Sequence, residues 1–366
     1  MNQLWNCFKT SHALKSALLS SLLLITSMHA SAATVTCITA GDTAGLQAAL
    51  ATAANNNDDD IIELQTGLYV MPTNFPLSYS AAAEQKDLTI EGGYSGNMAG
   101  PCGAPPTTPN ARQTLLYGGT LYVHMAGAGS FALKSVTIEN TFSADPTFSP
   151  VEIGGYIDFT GSVTIENAMF LGNWSTTKSA VYIFAAKGSL TVQDSVFANN
   201  QSSSPTESAV HLGSLSTTGS LCALIINSTF ASNSTAAAAA VDVYASMCIA
   251  AAANDIFWDA SPAGVKFEYP QWAYLTNDDF YDLSEADNAA QATALLSADP
   301  MFINSDFSLG DMSPLRDLGS PGGFIFAVGP YDVIGNPRTY GAKPDIGAFE
   351  IQDVIFAHGF DFTLPF

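Results

Sequence analysis

Five side chains with chemical capability recur at one position of a repeated triplet: Glu152, Tyr182, His211, Asp242 and Lys266. They stand in the middle of Val151-Glu-Ile153, Val181-Tyr-Ile183, Val210-His-Leu212, Val241-Asp-Val243 and Val265-Lys-Phe267, whose leading valines are 30, 29, 31 and 24 residues apart. Side chains alternate along a strand, so the apolar outer pair of each triplet turns inward and the middle residues form an outward column. His211, Asp242 and Lys266 on consecutive strands suit proton abstraction, as in β-elimination from an acidic sugar, with the Tyr182 phenol alongside. Glu152 and Asp242 are three strands apart, roughly 14 Å. That is too far for a glycosidase carboxylate pair, which needs about 5 to 9.5 Å. Without catalysis, the column is a solvated face of a repeat protein, with Glu152 and Tyr182 as binding residues.

A second series interleaves with the first and supplies the frame. Val163-Thr-Ile-Glu-Asn-Ala-Met-Phe170, Leu190-Thr-Val-Gln-Asp-Ser-Val-Phe197, Leu224-Ile-Ile-Asn-Ser-Thr-Phe230, Ala252-Ala-Asn-Asp-Ile-Phe257 and Leu275-Thr-Asn-Asp-Asp-Phe280 each give a short strand, an Asn or Asp, and a Phe three positions later. The phenylalanines are 27, 33, 27 and 23 residues apart, and Leu88–Tyr94 and Val136–Phe142 read as earlier, offset members. One drifting period shared by two strand series implies stacked coils, each burying its apolar side chains against its neighbours. Asn140, Asn167, Asp194, Asn227, Asn254 and Asn277 form a turn column, since Asn and Asp tolerate left-handed backbone and bond along a stack. The phenylalanines form an inward aromatic stack. Propensity alone makes the alanine-rich stretch 236–253 a helix, but Val241-Asp-Val243 and Asn254-Asp-Ile-Phe257 keep register, so strands are expected. Asp42 caps a helix running to Ala54, which covers the open N-terminal end of the stack.

Composition narrows the function classes. Eleven Lys and Arg against 33 Asp and Glu give a net charge of −22, with 12% of residues charged and 47% hydrophobic. So apolar a chain can offset its ordering entropy, which excludes disorder. Its scattered bases exclude a nucleic-acid partner. Residues 1–32 contain no acid, carry Lys9 and Lys15, and run through an apolar stretch from Ala17 to Ile25 to small residues at Ala30 and Ala32. This pattern predicts a signal peptide cleaved near Ala32, no transmembrane segment in the mature chain, and a monomer that is secreted or held on a bacterial outer surface. Loss of the two lysines takes the charge to −24. Four cysteines remain in an oxidising compartment, and of the three pairings the repeat favours Cys37–Cys102 and Cys222–Cys248, the latter one coil apart.

On these residues the chain resembles the right-handed parallel β-helix group that includes pectate-lyase-like proteins. Phe170-Leu-Gly-Asn173, Phe197-Ala-Asn-Asn200 and Phe230-Ala-Ser-Asn233 are similar to repeats of polymorphic outer-membrane proteins. The companion Gly-Gly-Ala-Ile motif is reduced here to Ser179-Ala-Val and Ser208-Ala-Val. Asp299-Pro-Met-Phe302, Ser313–Gly319, Asp332–Arg338 and Asp345-Ile-Gly-Ala-Phe-Glu350 resemble the end of a choice-of-anchor Q domain. The resemblance implies architecture and surface display, and no reaction. Arg316 and Arg338, two of the three arginines, sit in this segment and are expected to tie the solenoid closed.

No Gly-x-Ser-x-Gly, zinc spacing, P-loop or dinucleotide fingerprint is present, so neither metal nor cofactor is expected. The expected protein is all-β: a signal peptide at 1–32, a single right-handed parallel β-helix at 33–350 with an N-terminal capping helix and a closing motif at 299–350, and a tail at 351–366. Its expected function is carbohydrate or surface binding, adhesin-like and without catalysis, toward an extracellular polysaccharide or surface glycan. The alternative is a polysaccharide lyase or glycoside hydrolase using His211, Asp242 and Lys266.

Overall fold

A computed structural model describes residues 33–352 apart from 82–84, 97–101, 217–219, 260–263, 269–272, 288 and 324–325. The expected signal peptide, and the expected tail beyond residue 352, lie outside the described residues. The described strands form four sheets, of ten, eight, four and seven strands, and every pairing between them is parallel. Such stacked coils make a parallel β-helix solenoid.

One coil illustrates the path. Ser162–Glu166 lies in the first sheet, Met169–Leu171 in the second, Trp174–Ser175 in the third and Val181–Phe184 in the fourth, before Ser189–Gln193 re-enters the first. The alternation of apolar and polar residues sets the face: Val163 and Ile165 are fully buried, as are Val181 and Ile183. Between the first and second sheets the chain turns through a left-handed residue at Asn167, Asp194, Asn227, Asn254 and Asn277, with φ between 47° and 61°. After each turn the Phe ring points inward, and Phe170, Phe197, Phe230, Phe257 and Phe280 stack with centroids 4.6, 4.9, 5.0 and 5.2 Å apart. Each such pair contributes about 0.5–1.5 kcal/mol beyond its buried area.

Asn140 departs from expectation. Thr137–Glu139 pairs with Met169–Leu171 in the second sheet, so Asn140 stands at the next corner with Gly172, Asn199 and Ser232, while Ser135 takes the first. Val136-Thr-Ile-Glu139 looks like Val163-Thr-Ile-Glu166, but Phe131–Lys134 already fills the first-sheet position beside it. The segment therefore moves one sheet on, Ile138 lies against Phe170 in the core, and Phe142 faces solvent against Trp174.

The alanine-rich stretch forms strands Val241–Ala245 and Ile249–Ala253, as stacking requires. Cys37 is bonded to Cys102 and Cys222 to Cys248. Asp42 caps helix Thr43–Ala53 by accepting from Gly45 N at 2.8 Å. The helix packs on Leu77–Ser80, the edge strand of the fourth sheet, where Gln47 accepts from Ser78 N at 3.1 Å and its Nε2 donates to Ser78 O at 3.4 Å. An amide side chain thus stands where a neighbouring strand would pair, which blunts the edge.

Past residue 299 the chain runs back along the outside of the stack. Asn277 Nδ2 donates to Leu318 O, Asn254 Nδ2 to Ser320 O, and Asn167 Nδ2 to Asp332 O, each at 2.9 Å. The corner column therefore holds this strap, and also bonds along the stack, as from Asn254 Nδ2 to Asn227 Oδ1 at 2.8 Å. Beneath the strap, Met169, Val196 and Ala198 pack with Val333, Ala348 and Phe349. Arg338 joins Asp194 rather than Asp345, and donates to the carbonyls of Gly347 and Ala348.

Candidate functional site

The fourth sheet positions the expected residues. Register pairs Glu152 with Tyr182, Tyr182 with His211, His211 with Asp242, and Asp242 with Lys266, one residue per coil. All five stand in one file, anchored by buried Val151, Val181, Val210, Val241 and Val265. The file continues to Tyr122, which pairs with Glu152. A parallel file two positions on holds His124, Gly154, Phe184, Gly213, Tyr244 and Glu268. A Cβ on Gly213 would stand 3.1 Å from Phe184 Cδ2 and from Tyr244 Cβ, so glycine there leaves room for the two rings.

Two clusters of the same composition form on these files. Tyr122 stacks on His124 with centroids 4.0 Å apart, and His124 Nε2 donates to Glu152 Oε1 at 2.9 Å. Tyr182 stacks on His211 at 4.8 Å with planes 8° apart, and His211 Nδ1 donates to Asp242 Oδ2 at 3.0 Å. The paired side chains are 14–17% exposed. With Nδ1–H held by Asp242, a neutral His211 keeps its basic lone pair on Nε2. Glu152 is fixed further by Ser149 N, at 3.1 Å from Oε2. Asp242 Oδ1 and Ser179 Oγ, both buried, have no hydrogen-bond partner among the described residues.

Burial, and then the negative charge of Glu152, pushes the Tyr122 and Tyr182 phenols up to about 12. They remain neutral hydrogen-bonding rings, not phenolate bases. Lys266 forms an ion pair with Glu268, and that hydrogen bond raises its pKa. A general-base lysine needs the opposite shift. Lys266 is thus adjacent to Asp242 in register, but its ammonium is engaged along its own strand.

Three pockets follow one another along the files. The first, of about 350 Å³, includes Tyr122, Phe148 and Ser149. The second, of about 340 Å³, includes Ser149, Glu152, Tyr182 and His211, and the third, of about 240 Å³, includes His211, Asp242, Tyr244 and Lys266. Shared residues make them a continuous groove. Asp145, Glu152, Glu207, Asp242 and Glu268 line it against Lys178 and Lys266, so its field is negative.

Sequence reasoning missed Tyr122, His124, Phe148 and Tyr244. The signal was present for the first two: Leu121-Tyr-Val123 is the same apolar-x-apolar triplet, 30 residues before Val151. Phe148 comes from a loop with no repeat, and meets Tyr122 edge-on at 4.9 Å.

Another concentration of acids lies inside the C-terminal coils. Asp255, Asp259, Asp278 and Asp279 are fully buried. Asp255 N donates to Asp278 Oδ1 at 2.9 Å, and Asn233 N donates to Asp259 Oδ1 at 2.6 Å. Burial pushes Asp259 and Asp279 up to about 7 and Asp278 to about 8, and burial with the neighbouring Asp278 raises Asp255 well above the usual range. They are fully buried and accept backbone hydrogen bonds inside the coils.

Among the described residues no three His, Cys, Asp or Glu are grouped to hold a metal ion, and no helix is long and apolar enough to cross a membrane. No family model, curated protein or solved structure matches the chain.

Proposed function

We propose that this chain is a secreted or cell-surface β-helix protein, of the pectate-lyase-like and choice-of-anchor Q kind, that binds carbohydrate along the fourth sheet without catalysis. The observation that carries the reading is the groove in which two Tyr–His–carboxylate clusters stand on one rigid sheet. The phenols, imidazoles and fixed carboxylates that line the groove can accept from or donate to sugar hydroxyl groups. The groove's negative field disfavours uronic-acid polymers and suits neutral glycans. The signal-peptide pattern at 1–32 supports export, and the ligand is then an extracellular polysaccharide or surface glycan met by a monomer.

The hydrogen bond from His211 to Asp242 favours a second reading, a polysaccharide lyase with His211 as base. A glycan array, run beside ultraviolet absorbance of unsaturated products on pectic, alginate and glycosaminoglycan substrates, separates the two. Glycan capture with no product supports binding alone. Product formation that disappears in His211→Ala overturns it.

A further inference from the structure

The groove is periodic, and its period specifies a ligand shape. Tyr122, Tyr182 and Asp242 are alternate members of one file, because Glu152 separates the first two and His211 the last two. Each lines a different one of the three pockets. Two coils at ~4.8 Å each put successive pockets about 10 Å apart. That step matches a disaccharide in an extended β-1,4-linked chain, whose twofold twist presents alternate sugars with the same face. A helically coiled α-1,4 chain lacks this repeat.

We infer that the three pockets are subsites for alternate sugars of an uncharged, extended β-1,4-linked polysaccharide lying parallel to the solenoid axis. This rests on the carbohydrate-binding reading and adds the ligand's linkage class and the number of sugars read. Three subsites with a two-sugar step span five sugars. Glu152 lines the second subsite and His211 the second and third, and both are placed to meet the intervening sugars. The groove's carboxylates select against a polymer with a carboxylate on each sugar.

The test is calorimetric titration of the full chain with cello-, N-acetylchito- and malto-oligosaccharides from one to seven sugars, and with a galacturonate hexamer. The expected result is stepwise affinity in the cello or N-acetylchito series: a rise of roughly 10-fold or more on passing from one to three sugars and again from three to five, then a plateau. The malto series and the galacturonate do not show the steps. Tyr122→Ala and Tyr182→Ala each remove one step, and because the length series uses the unaltered protein, it stands even where a variant folds poorly. A plateau at one or two sugars, or equal steps in the malto series, overturns the periodic groove and leaves glycan binding intact. Silence toward every oligosaccharide and toward a glycan array overturns both.

Discussion

Arg338 Nη2 lies 2.5 Å from Asp194 Oδ1, joining side chains 144 residues apart that are each no more than 2% exposed. Asp194 is the one acid among the corner residues Asn167, Asp194, Asn227, Asn254 and Asn277, and it is the one that meets a guanidinium. An aspartate in a column of asparagines thus marks where the strap is fastened.

Removing the arginine alone leaves a buried carboxylate without its cation. Arg338→Met is expected to destabilise the fold by about 3–5 kcal/mol. The double variant Arg338→Met/Asp194→Asn restores much of that, because asparagine fits this corner in the neighbouring coils. Urea unfolding followed by circular dichroism measures both, and a double variant no more stable than the single one contradicts the account.

The asparagine ladder predicts a comparable loss. Asn173 Nδ2 donates to Asn200 Oδ1, and Asn200 Nδ2 to Asn233 Oδ1, each at 2.9 Å. Asn200→Ala removes the acceptor shared by Asn173 N and Nδ2, of which Nδ2 keeps Ile138 O, and is expected to cost about 1–3 kcal/mol. A shift in the urea midpoint within the error of replicate melts argues that the ladder carries no stability.

Stability should fall as pH rises. Asp259, Asp279, Glu285 and Glu350 are raised to about 7 and Asp278 to about 8, chiefly by burial. In the unfolded chain such carboxyls titrate near ~4. The folded state therefore holds protons that the unfolded state has released. The stabilising contribution is fully present below about pH 4 and is lost as pH rises through 7 to 8, at up to about 1.4 kcal/mol per pH unit for each proton concerned. Melting at pH 5.5 and pH 8.5 in equal salt checks the sign. A higher midpoint at pH 8.5 refutes it.

Binding should separate Asp242 from Lys266. Asp242→Asn weakens the orientation of His211, and a loss of roughly 10-fold in glycan affinity is expected, in the range of a charge-assisted hydrogen bond. Lys266→Met leaves affinity within about 2-fold, because the ammonium is committed to Glu268. If Lys266→Met instead abolishes activity on an acidic polysaccharide, the lyase reading gains and the binding reading is lost.

The sequence carried the stack itself because each coil repeats the same demand, two inward apolar residues in the fourth sheet and a ring after the first corner. Hence Glu152, Tyr182, His211, Asp242 and Lys266 could be put in one file from spacing alone. Asn140 could not be placed, since which sheet receives Val136–Glu139 depends on Phe131–Lys134 having already occupied the alternative. The pairing of Lys266 with Glu268, and of His124 with Glu152, depends on side-chain reach between files, which a period does not encode. Phe148 enters from a loop whose path no repeat constrains.

A plain stack of coils is held by neighbours alone, and so can fray from either end one turn at a time. The strap changes that arithmetic. Val333 O accepts from Ala111 N at 3.1 Å, while Leu318 and Ser320 are bonded to Asn277 and Asn254, so one late segment touches coils from near the start of the solenoid to near its finish. The fold can be completed only once the strap around Leu318 to Val333 has been made, and the early coils then gain a cooperative link to the late ones. Partial unwinding from the C-terminal coils, the ordinary failure of a solenoid, must first peel away the strap.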